Sequence, residues 1–504
     1  MKKITLLLLV TLVTGTCVYA QNQTMQIYKN DVIVESIVVS QIDSIKFADV
    51  SSTGSSENEI VHFYLDLYKD AQSSYDWRGD VQMADPDEVT IDQETRTITY
   101  TLPLLPDWFT PEKMTVFPAV IQISEGATVS PNWNVPQDFT KDVVYTVTAE
   151  NGDKKVWTVK APKYYTKAKW NVDYASLRDN VTDMGAQNPN SVALIGNYVS
   201  LGRTADLLNK SDGTLADTKL NVTGWRALNN STSTDPVVTQ DFPFFITNDD
   251  AGNMVGINLG AWNADVCAVY KWTSPTDNPV EVMAFPTKQD GTQFGSFGRK
   301  LQVLGNLNEN GLIISPNTLN IANGEHYIWK INGGEVDKEN PVVEQSKIAM
   351  NGSAYQVLTP LGLEPAGPYY VSTPLVGESY PNLQFGEPGN MEEIKGPFAS
   401  VLETASANGW GNQGFHYLKL FTLDEKNMIA TLSNSYGYYC FAIQERATNS
   451  TLVPFATDIL EWNSENWVNG NNTGSFTMEK VGNDIFFYVF TTNRAIVCYQ
   501  VSKF

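Results

Sequence analysis

The side chains that most often carry out catalysis are sparse in this sequence. Its three histidines, His62, His326 and His416, are far apart and form no His-x-x-x-His or His/Cys pair at metal-ligand spacing. The sequence also has no Gly-x-Ser-x-Gly elbow, phosphate-binding loop or dinucleotide-binding fingerprint. His62 and His326 lie in runs typical of β-strands, where a histidine is ordinarily structural. We therefore predict no catalytic residue, no metal ligand and no cofactor.

Cysteines and clustered acidic residues also favour structural roles. Cys267, Cys440 and Cys498 each lie in an apolar run typical of a strand, and an odd number makes a poor disulfide framework. We predict that they are buried small hydrophobic residues. The segment Asn248 to Asn253 resembles a calcium loop only superficially, because it lacks oxygen ligands at alternate positions. We expect it to form a hairpin turn.

Aromatic, amide and arginine side chains are the best candidates for ligand contact. An aromatic ring can stack on the apolar face of a sugar while neighbouring amides bond its hydroxyls. Residues of these types recur in short polar segments between apolar runs, and we single out ten candidate ligand-binding residues: Trp262, Asn263, Phe294, Tyr380, Trp410, Asn412, Asn434, Tyr436, Asn493 and Arg494. Phenylalanine and tyrosine at such places could equally pack at the rim of a domain.

The elements that must position these residues are β-strands. Apolar runs are short, rich in Val, Ile, Thr, Tyr and Phe, and separated by Asn, Gly, Asp, Ser and Pro, which predicts an all-β chain. From about residue 165 a pattern of two β runs around a Gly/Asn turn, followed by a third run, recurs six times. The turns end at residues 197, 253, 311, 368, 427 and 483, in steps of 56 to 59 residues. Steps of this size are typical of β-propeller blades, so we predict a six-bladed propeller over residues 164–504.

Propeller geometry would place the candidate residues together. If each Gly/Asn turn joins the first two strands of a blade, the other loops meet on the opposite face, where propeller ligands usually bind. The last repeat ends at Phe504 after three strands, and Tyr164 to Tyr174 could supply its fourth. This pairing would close the ring and remove an exposed sheet edge.

The N-terminal third predicts export and a separate module. Residues 1–20 read as a signal peptide, with Lys2 and Lys3 before an apolar run that is too short to span a bilayer. Cys17 leaves lipid anchoring open as an alternative. We assign residues 21–50 to a short β-hairpin segment, 51–58 to a linker and 59–163 to an immunoglobulin-like (Ig-like) β-sandwich. The strands expected in the sandwich are residues 59–65, 88–91, 95–102, 114–118, 143–149 and 155–161, with a turn at Asn151-Gly152.

Charge narrows the choice of partners. The chain has 504 residues, with 34 Lys and Arg against 56 Asp and Glu, and a formal net charge of −22. Such an excess of acidic residues argues against binding to nucleic acid or to anionic membrane surfaces, since both would repel the negatively charged chain. No segment after the N-terminal run is long and apolar enough to span a membrane.

Part of the sequence resembles an uncharacterised group of secreted Bacteroidetes proteins with an Ig-like module before a β-propeller. The resemblance is carried by Ile42 to Phe47 (IDSIKF), Gly126 to Pro131 (GATVSP), Asp138 to Thr140 and Val144 to Val159. It covers residues 25–163 well and the propeller more loosely. It implies a location on or outside the cell envelope, often in glycan-scavenging systems, and it transfers no catalytic residue.

Three functions are consistent with these observations. The first is an exported, non-catalytic binding protein whose propeller holds a carbohydrate or a surface protein. The second is a glycoside hydrolase or lyase with a pair of carboxylates near the propeller axis. The two members of such a pair would come from distant repeats, so no local motif in the sequence marks them. The third is an adhesive or protein-binding scaffold. Missing catalytic motifs and plentiful aromatic and amide loops favour the first.

Overall fold

The structure, a computed structural model, is all-β, as predicted. It describes residues 24–29, 32–38, 54–65, 89–100, 102, 104–115, 119–133, 135–173, 189–225, 242–260, 265–347, 356–372, 383–387, 390–394, 414–435, 438–446, 451–453, 474–492 and 495–504. Within these ranges the helical segments are two short 3-10 turns, Pro111–Thr115 and Ile321–Asn323. The chain forms two units, Met1–Thr99 with Met114–Ala161, and Tyr100–Lys113 with Pro162–Phe504.

A β-hairpin begins the described part of the first unit. Strand Thr24–Lys29 pairs antiparallel with Val32–Val38, which confirms the predicted hairpin around Asn30-Asp31. The expected signal segment 1–20, Cys17 and the expected strand Ile42 to Phe47 lie outside the described residues.

Two sheets make up the rest of the first unit. One has five strands and the other has two. In sheet order the strands are Val89–Asp92, Thr97–Tyr100, Lys154–Val159, Val143–Thr148 and Thr128–Ser130 in the first sheet, and Ile60–Leu65 and Ala119–Ile123 in the second. Alternate residues of Val143–Thr148 are buried, which is the period-two pattern of a strand with one face on a core. Tyr145, Val147 and Trp157 form part of that core.

Five of the six strands expected in this module are confirmed. The sixth, residues 114–118, is wrong at Met114 and Thr115, which end the 3-10 turn Pro111–Thr115, and residues 116–118 lie outside the described residues. Pro111 favours such a turn because its fixed φ suits the first helical position. Met114 is fully buried there, and its carbonyl oxygen accepts a hydrogen bond from Phe139 N at 2.9 Å.

The expected linker is packed over its described part, residues 54–58. Ser55 N donates to Glu150 Oε2 at 3.1 Å, and Asn151 N donates to Ser55 O at 3.1 Å. The buried Trp157 donates through Nε1 to Asn58 O at 3.3 Å. The composition of this segment is typical of a linker, but its backbone is held in place by hydrogen bonds to residues 150, 151 and 157.

Six antiparallel sheets form the second unit, and we number them 1 to 6 in chain order. Their first strands are Val192–Ile195, Phe245–Asn248, Gln302–Gly305, Leu358–Pro360, Gly414–Leu423 and Gly474–Val481. Their second strands are Tyr198–Leu201, Met254–Ile257, Gly311–Pro316, Tyr369–Ser372, Lys426–Ser435 and Asp484–Thr491. Their third strands are Asp206–Asn209, Val266–Trp272, Glu325–Asn332, Leu383–Glu387, Tyr438–Glu445 and Ala495–Lys503.

The fourth strands complete the sheets. They are Leu215–Lys219, Val280–Pro286, Val342–Gln345, Asn390–Ile394, Thr451–Val453 and Tyr164–Asp173. Shorter additions are Glu335–Val336 in sheet 3, Leu105–Pro106 beside Tyr164–Asp173, and a small hairpin of Lys288–Gln289 with Thr292–Gln293. Strand Leu105–Pro106 is the reason that residues 100–113 belong to the second unit.

Sheet 6 is completed from the start of the unit. Strand Tyr164–Asp173 pairs antiparallel with Ala495–Lys503 along its whole length, so the predicted closing pair is confirmed. Tyr164 Oη also donates to Asp424 Oδ2 at 2.6 Å, which links this strand to sheet 5. Residues more than 300 positions apart are thereby brought into one sheet.

The sheets contact one another in a closed cycle. Val192 N donates to Ser475 Oγ between sheets 1 and 6, and Asp250 N donates to Gly305 O between sheets 2 and 3, both at 2.9 Å. The arginine side chain of Arg446 lies 5.6 Å from the ring of Tyr370, between sheets 5 and 4. Strand Phe245–Asn248 is buried on both faces, although two of its four residues, Thr247 and Asn248, are polar.

Polar side chains fill the centre of this cycle. Lys300, at the start of sheet 3, is 2% exposed and donates through Nζ to Gly474 O of sheet 6 at 3.2 Å. Thr247 Oγ1 of sheet 2 lies 2.7 Å from Tyr417 Oη of sheet 5. Each contact joins sheets that are not neighbours in the cycle, so the hub is cross-linked through its middle.

Candidate functional site

The first strands of all six sheets, and several of the turns that follow them, contribute residues to two adjoining cavities of about 550 and 190 Å³, which together we call the turn-side cavity. The larger is lined by Leu194, Gly196, Lys210, 248–252, 419–421 and 478–480, and the smaller by Asp250, 302–305, 359–363 and 417–420. A combined space of this size is within the range of small-molecule sites.

Asn248 forms the floor of the larger cavity. Its Oδ1 accepts hydrogen bonds from Leu194 N at 2.7 Å and Thr477 Oγ1 at 2.8 Å, and its Nδ2 donates to Leu194 O at 2.8 Å. Sheets 1, 2 and 6 are therefore held together by one amide directly beneath the cavity. A fully bonded buried amide makes this floor rigid.

Asp249 shapes the rim. Its Oδ1 accepts from Ala251 N at 3.1 Å and Asn253 N at 2.8 Å, and its Oδ2 accepts from Asn253 Nδ2 at 2.8 Å and Leu307 N at 3.2 Å. The predicted hairpin turn over Asn248 to Asn253 is thus confirmed. No group of carboxylate, histidine and cysteine side chains in the described ranges is arranged to hold a metal ion.

Lys210 and Glu479 form an ion pair across sheets 1 and 6. Lys210 Nζ donates to Glu479 Oε2 at 2.7 Å, while Tyr488 Oη donates to Glu479 Oε1 at 2.9 Å. Both oxygens of this carboxylate are therefore occupied by donors of the protein itself.

Lys419 differs from these neighbours because its ammonium group makes no hydrogen bond within the described part of the chain. Its Nζ lies 3.9 Å from Asp250 Oδ1, beyond hydrogen-bond distance, and its side chain is 20% exposed. Asp250 Oδ2 accepts instead from Gly305 N at 2.9 Å. Burial lowers the pKa of Lys419, and the charges of Asp250 and Asp249 oppose this shift. Lys419 lines both cavities.

An apolar wall faces these charges. Leu420, Phe421 and Met478 line the larger cavity, and the ring of Phe421 packs edge-on against Phe487 at 5.6 Å between centroids. The site therefore combines an aromatic ring, backbone turns and one lysine, Lys419, whose ammonium group makes no hydrogen bond to the described part of the chain. This combination suits the reversible binding of a polar ligand with an apolar face.

Most of the candidate residues from the sequence lie outside the described residues: Trp262, Asn263, Tyr380, Trp410, Asn412, Tyr436, Asn493 and Arg494. Phe294 is 37% exposed between sheets 2 and 3, and its carbonyl oxygen accepts from Asn317 Nδ2 at 3.2 Å. Asn434 lies within strand Lys426–Ser435, opposite Gly414 and Tyr439, and not in a loop as expected. Neither residue lines the turn-side cavity, and a pocket on the opposite face stays a prediction.

Three of the histidines and cysteines singled out in the sequence, His326, Cys267 and Cys498, are buried in strands. His326 is fully buried in Glu325–Asn332, and burial lowers its pKa to about 4, so the ring is neutral at pH 7. His62 is exposed on strand Ile60–Leu65. Cys267 and Cys498 are buried free thiols, as predicted. Burial raises the pKa of Cys498 to about 12, which keeps this thiol protonated.

In the sequence, residues 248–253 were expected to form a hairpin turn and were not assigned to a site, and the other residues of the turn-side cavity were missed. Lys210, Lys419 and Glu479 are single charged residues of a kind that ordinary solvent-exposed positions share. The repeating turns were located well, but the general preference of propeller ligands directed attention to the opposite loops. The sequence signal that could have indicated this cavity was the set of six recurring turns, which a propeller would bring together around one hub.

Comparison with known proteins gives one family match. Residues 80–161 match the family model of the SGBP N-terminal domain, the domain of surface glycan-binding proteins. No curated protein matches the chain. No helix within the described ranges combines the length and apolar character that crossing a membrane requires.

Several solved structures are similar to the chain at low TM-scores. A DUF4623 family protein from Bacteroides eggerthii is 16% identical, covers 88% of this chain and 98% of its own, and has a TM-score of 0.45. A secreted protein from Bacteroides fragilis is 26% identical over 21% of this chain and 94% of its own, with a TM-score of 0.15. A thermostable family-43 glycoside hydrolase is 12% identical over 63% of this chain and 92% of its own, with a TM-score of 0.30.

Proposed function

We propose that this protein is an exported, non-catalytic binding protein of the cell envelope that holds a carbohydrate in the turn-side cavity. The observation that carries the proposal is the match of residues 80–161 to the N-terminal domain of surface glycan-binding proteins. In this proposal the six sheets are the blades of a propeller, the module before them is an Ig-like spacer, and residues 1–20 direct export.

The chemistry of the turn-side cavity supports binding without catalysis. Glycoside hydrolysis needs one carboxylic acid and one carboxylate that can reach the scissile bond. Asp249 and Glu479 each have both oxygens bonded to donors of the protein, and Asp250 Oδ2 is bonded to Gly305 N. These carboxylates hold the cavity in shape and are poorly placed to exchange protons with a substrate.

The test measures both glycan binding and glycan turnover by residues 21–504. A panel of acidic and neutral polysaccharides is screened by affinity electrophoresis, and the binders are then titrated by calorimetry. We expect saturable binding to at least one polysaccharide and no increase in reducing ends or unsaturated products during overnight incubation. Heat-denatured protein is the control for non-specific retention.

Two outcomes would overturn the proposal. Time-dependent release of reducing ends or unsaturated sugars would establish the hydrolase or lyase alternative. Binding of a surface protein with no retention by any polysaccharide would establish the scaffold alternative. The contacts predicted on the opposite face, such as Trp410 and Arg494, belong to the same proposal as a second place where the glycan could touch the protein.

A further inference from the structure

We propose that the turn-side cavity selects an acidic glycan, and that Lys419 Nζ binds a carboxylate or sulfate oxygen of the bound sugar. This inference rests on the proposed function and specifies its ligand class. It depends on how each charged group around the cavity is already engaged.

The positive and negative charges of the cavity are not equally available. Lys210 is paired with Glu479 at 2.7 Å, and Asp249 is bonded to four donors. The donors to Asp249 are uncharged, so its carboxylate keeps its charge, and the three lysines and three carboxylates of the larger cavity balance one another, although the whole chain carries −22. Within the described part of the chain, the ammonium groups of Lys419 and Lys480 and one oxygen of Asp250 are the charged groups of this lining that make no hydrogen bond.

Lys419 has the geometry of a cation without a close counter-ion. Its partner in the described part of the chain is Asp250 Oδ1 at 3.9 Å, while charge-assisted hydrogen bonds are about 2.7–2.9 Å long. Most of its side chain is removed from water, so its charge is poorly solvated. An anionic oxygen in the cavity could approach the ammonium more closely than Asp250 does, because Asp250 is held back by Gly305 N.

The position of Lys419 suits the recognition of a sugar acid. It lies where the two cavities meet, next to Leu420 and Phe421, so a charged substituent on one ring can reach Nζ while the ring contacts the apolar wall. A uronate and a sulfate ester present the same anionic oxygens to lysine, which binds as a point charge with three donors. A neutral glycan would leave the ammonium with Asp250 at 3.9 Å as its counter-ion, whereas an anionic substituent could bind it at hydrogen-bond distance, and this difference is the source of selectivity.

Calorimetric titration with matched sugars tests the inference. The probes are an oligogalacturonate, the same oligosaccharide fully methyl-esterified, chondroitin, and chondroitin 4-sulfate. The methyl ester removes only the charge, and the two chondroitins separate recognition of a uronate from recognition of a sulfate. The variants are Lys419→Met, Lys480→Met and, as a matched control, Lys338→Met, an exposed lysine that does not line the cavity.

We expect the full chain to bind the oligogalacturonate about tenfold or more tightly than its methyl ester, or chondroitin 4-sulfate about tenfold or more tightly than chondroitin. Lys419→Met should lose about tenfold or more of this affinity, Lys480→Met should lose less, and Lys338→Met should lose none. Higher salt should weaken binding by the unsubstituted chain, which provides a measurement that does not depend on a variant. Equal unfolding transitions of Lys419→Met and the unsubstituted chain would show that the substitution leaves the fold intact.

Failure of the inference can be distinguished from failure of the proposed function. Tight binding of neutral sugars, or acidic binding that Lys419→Met leaves unchanged, would overturn the acidic selectivity and leave a glycan-binding protein. No binding to any acidic or neutral polysaccharide would overturn both.

Discussion

We expect the free energy of unfolding of the Lys300→Met variant to depend less on pH above neutrality than that of the unsubstituted chain. Lys300 is buried in the hub of the second unit, where Nζ donates to Gly474 O and lies 5.3 Å from the centre of the Phe245 ring. Burial lowers the pKa of Lys300 from its usual 10.5 to about 7. The folded protein therefore releases this proton at a lower pH than the unfolded chain.

The sign of the effect follows from proton binding. Between about pH 7 and 10.5 the unfolded state holds more protons at Lys300 than the folded state, so stability rises with pH. The rise is about 1.4 kcal/mol per pH unit in this window, and it disappears below pH 7 where both states are protonated. Methionine has a similar volume and does not titrate, so the variant lacks this contribution.

The measurement is the free energy of unfolding of the second unit from denaturant titrations between pH 6 and 10. The stability of Lys300→Met relative to the unsubstituted chain should be highest at pH 6 and 7 and should then fall steadily. Lys338→Met, at an exposed lysine, should show no such trend. Parallel pH profiles for Lys300→Met and the unsubstituted chain would show that Lys300 is not buried in a hub.

Replacing Gly298 with alanine is expected to destabilise the second unit strongly. Gly298 has a φ of +91°, and a Cβ there would overlap the carbonyl oxygen of Asn258 and lie 2.9 Å from its carbonyl carbon. The clash is with backbone of sheet 2, which is held beside this segment by hydrogen bonds between Gly260 and Phe297 at 3.0 and 3.2 Å. The backbone strain and the overlap together should cost roughly 3–5 kcal/mol.

Gly291→Ala provides the matched control. Gly291 has a φ of +77°, but no atom lies within 4 Å of the position that its Cβ would take. It therefore reports backbone strain alone, about 1–2 kcal/mol. We expect the Gly298→Ala variant to unfold at clearly lower denaturant than Gly291→Ala, or to fail to accumulate as soluble protein. Equal stabilities would contradict the close approach of sheets 2 and 3.

The order of the strands could be predicted from the sequence because each strand and each turn depends on residues that are close together in the chain. Turns at Gly196-Asn197 and Gly482-Asn483 join strands as predicted, and both glycines have positive φ values that the hairpins require. Two turns lie slightly earlier than expected: Gly311 begins the second strand of sheet 3, and Lys426-Asn427 begins that of sheet 5, after Asp424 and Glu425 with positive φ values. Aspartate often adopts a positive φ but glutamate rarely does, so Asp424-Glu425 does not stand out as a turn.

The candidate site was not readable because it depends on contacts between sheets. Asn248 looks like an ordinary turn residue, yet it bonds to Leu194 and to Thr477, which is 229 positions away. Lys419 lies in a strand of alternating type, and only the cavity shows that its ammonium lacks a close partner. Such properties arise from closure of the sheet cycle, which no local pattern encodes.

Hydrogen–deuterium exchange of the full chain, with and without a saturating glycan identified by the binding screen, shows directly whether the turn-side cavity binds the glycan. We predict slower exchange on binding in four separated segments, around residues 194–196, 248–252, 419–421 and 478–480, because together they line one cavity. Slower exchange confined to the predicted loops of the opposite face, such as residues 261–264 and 408–413, or confined to residues 80–161, would contradict it.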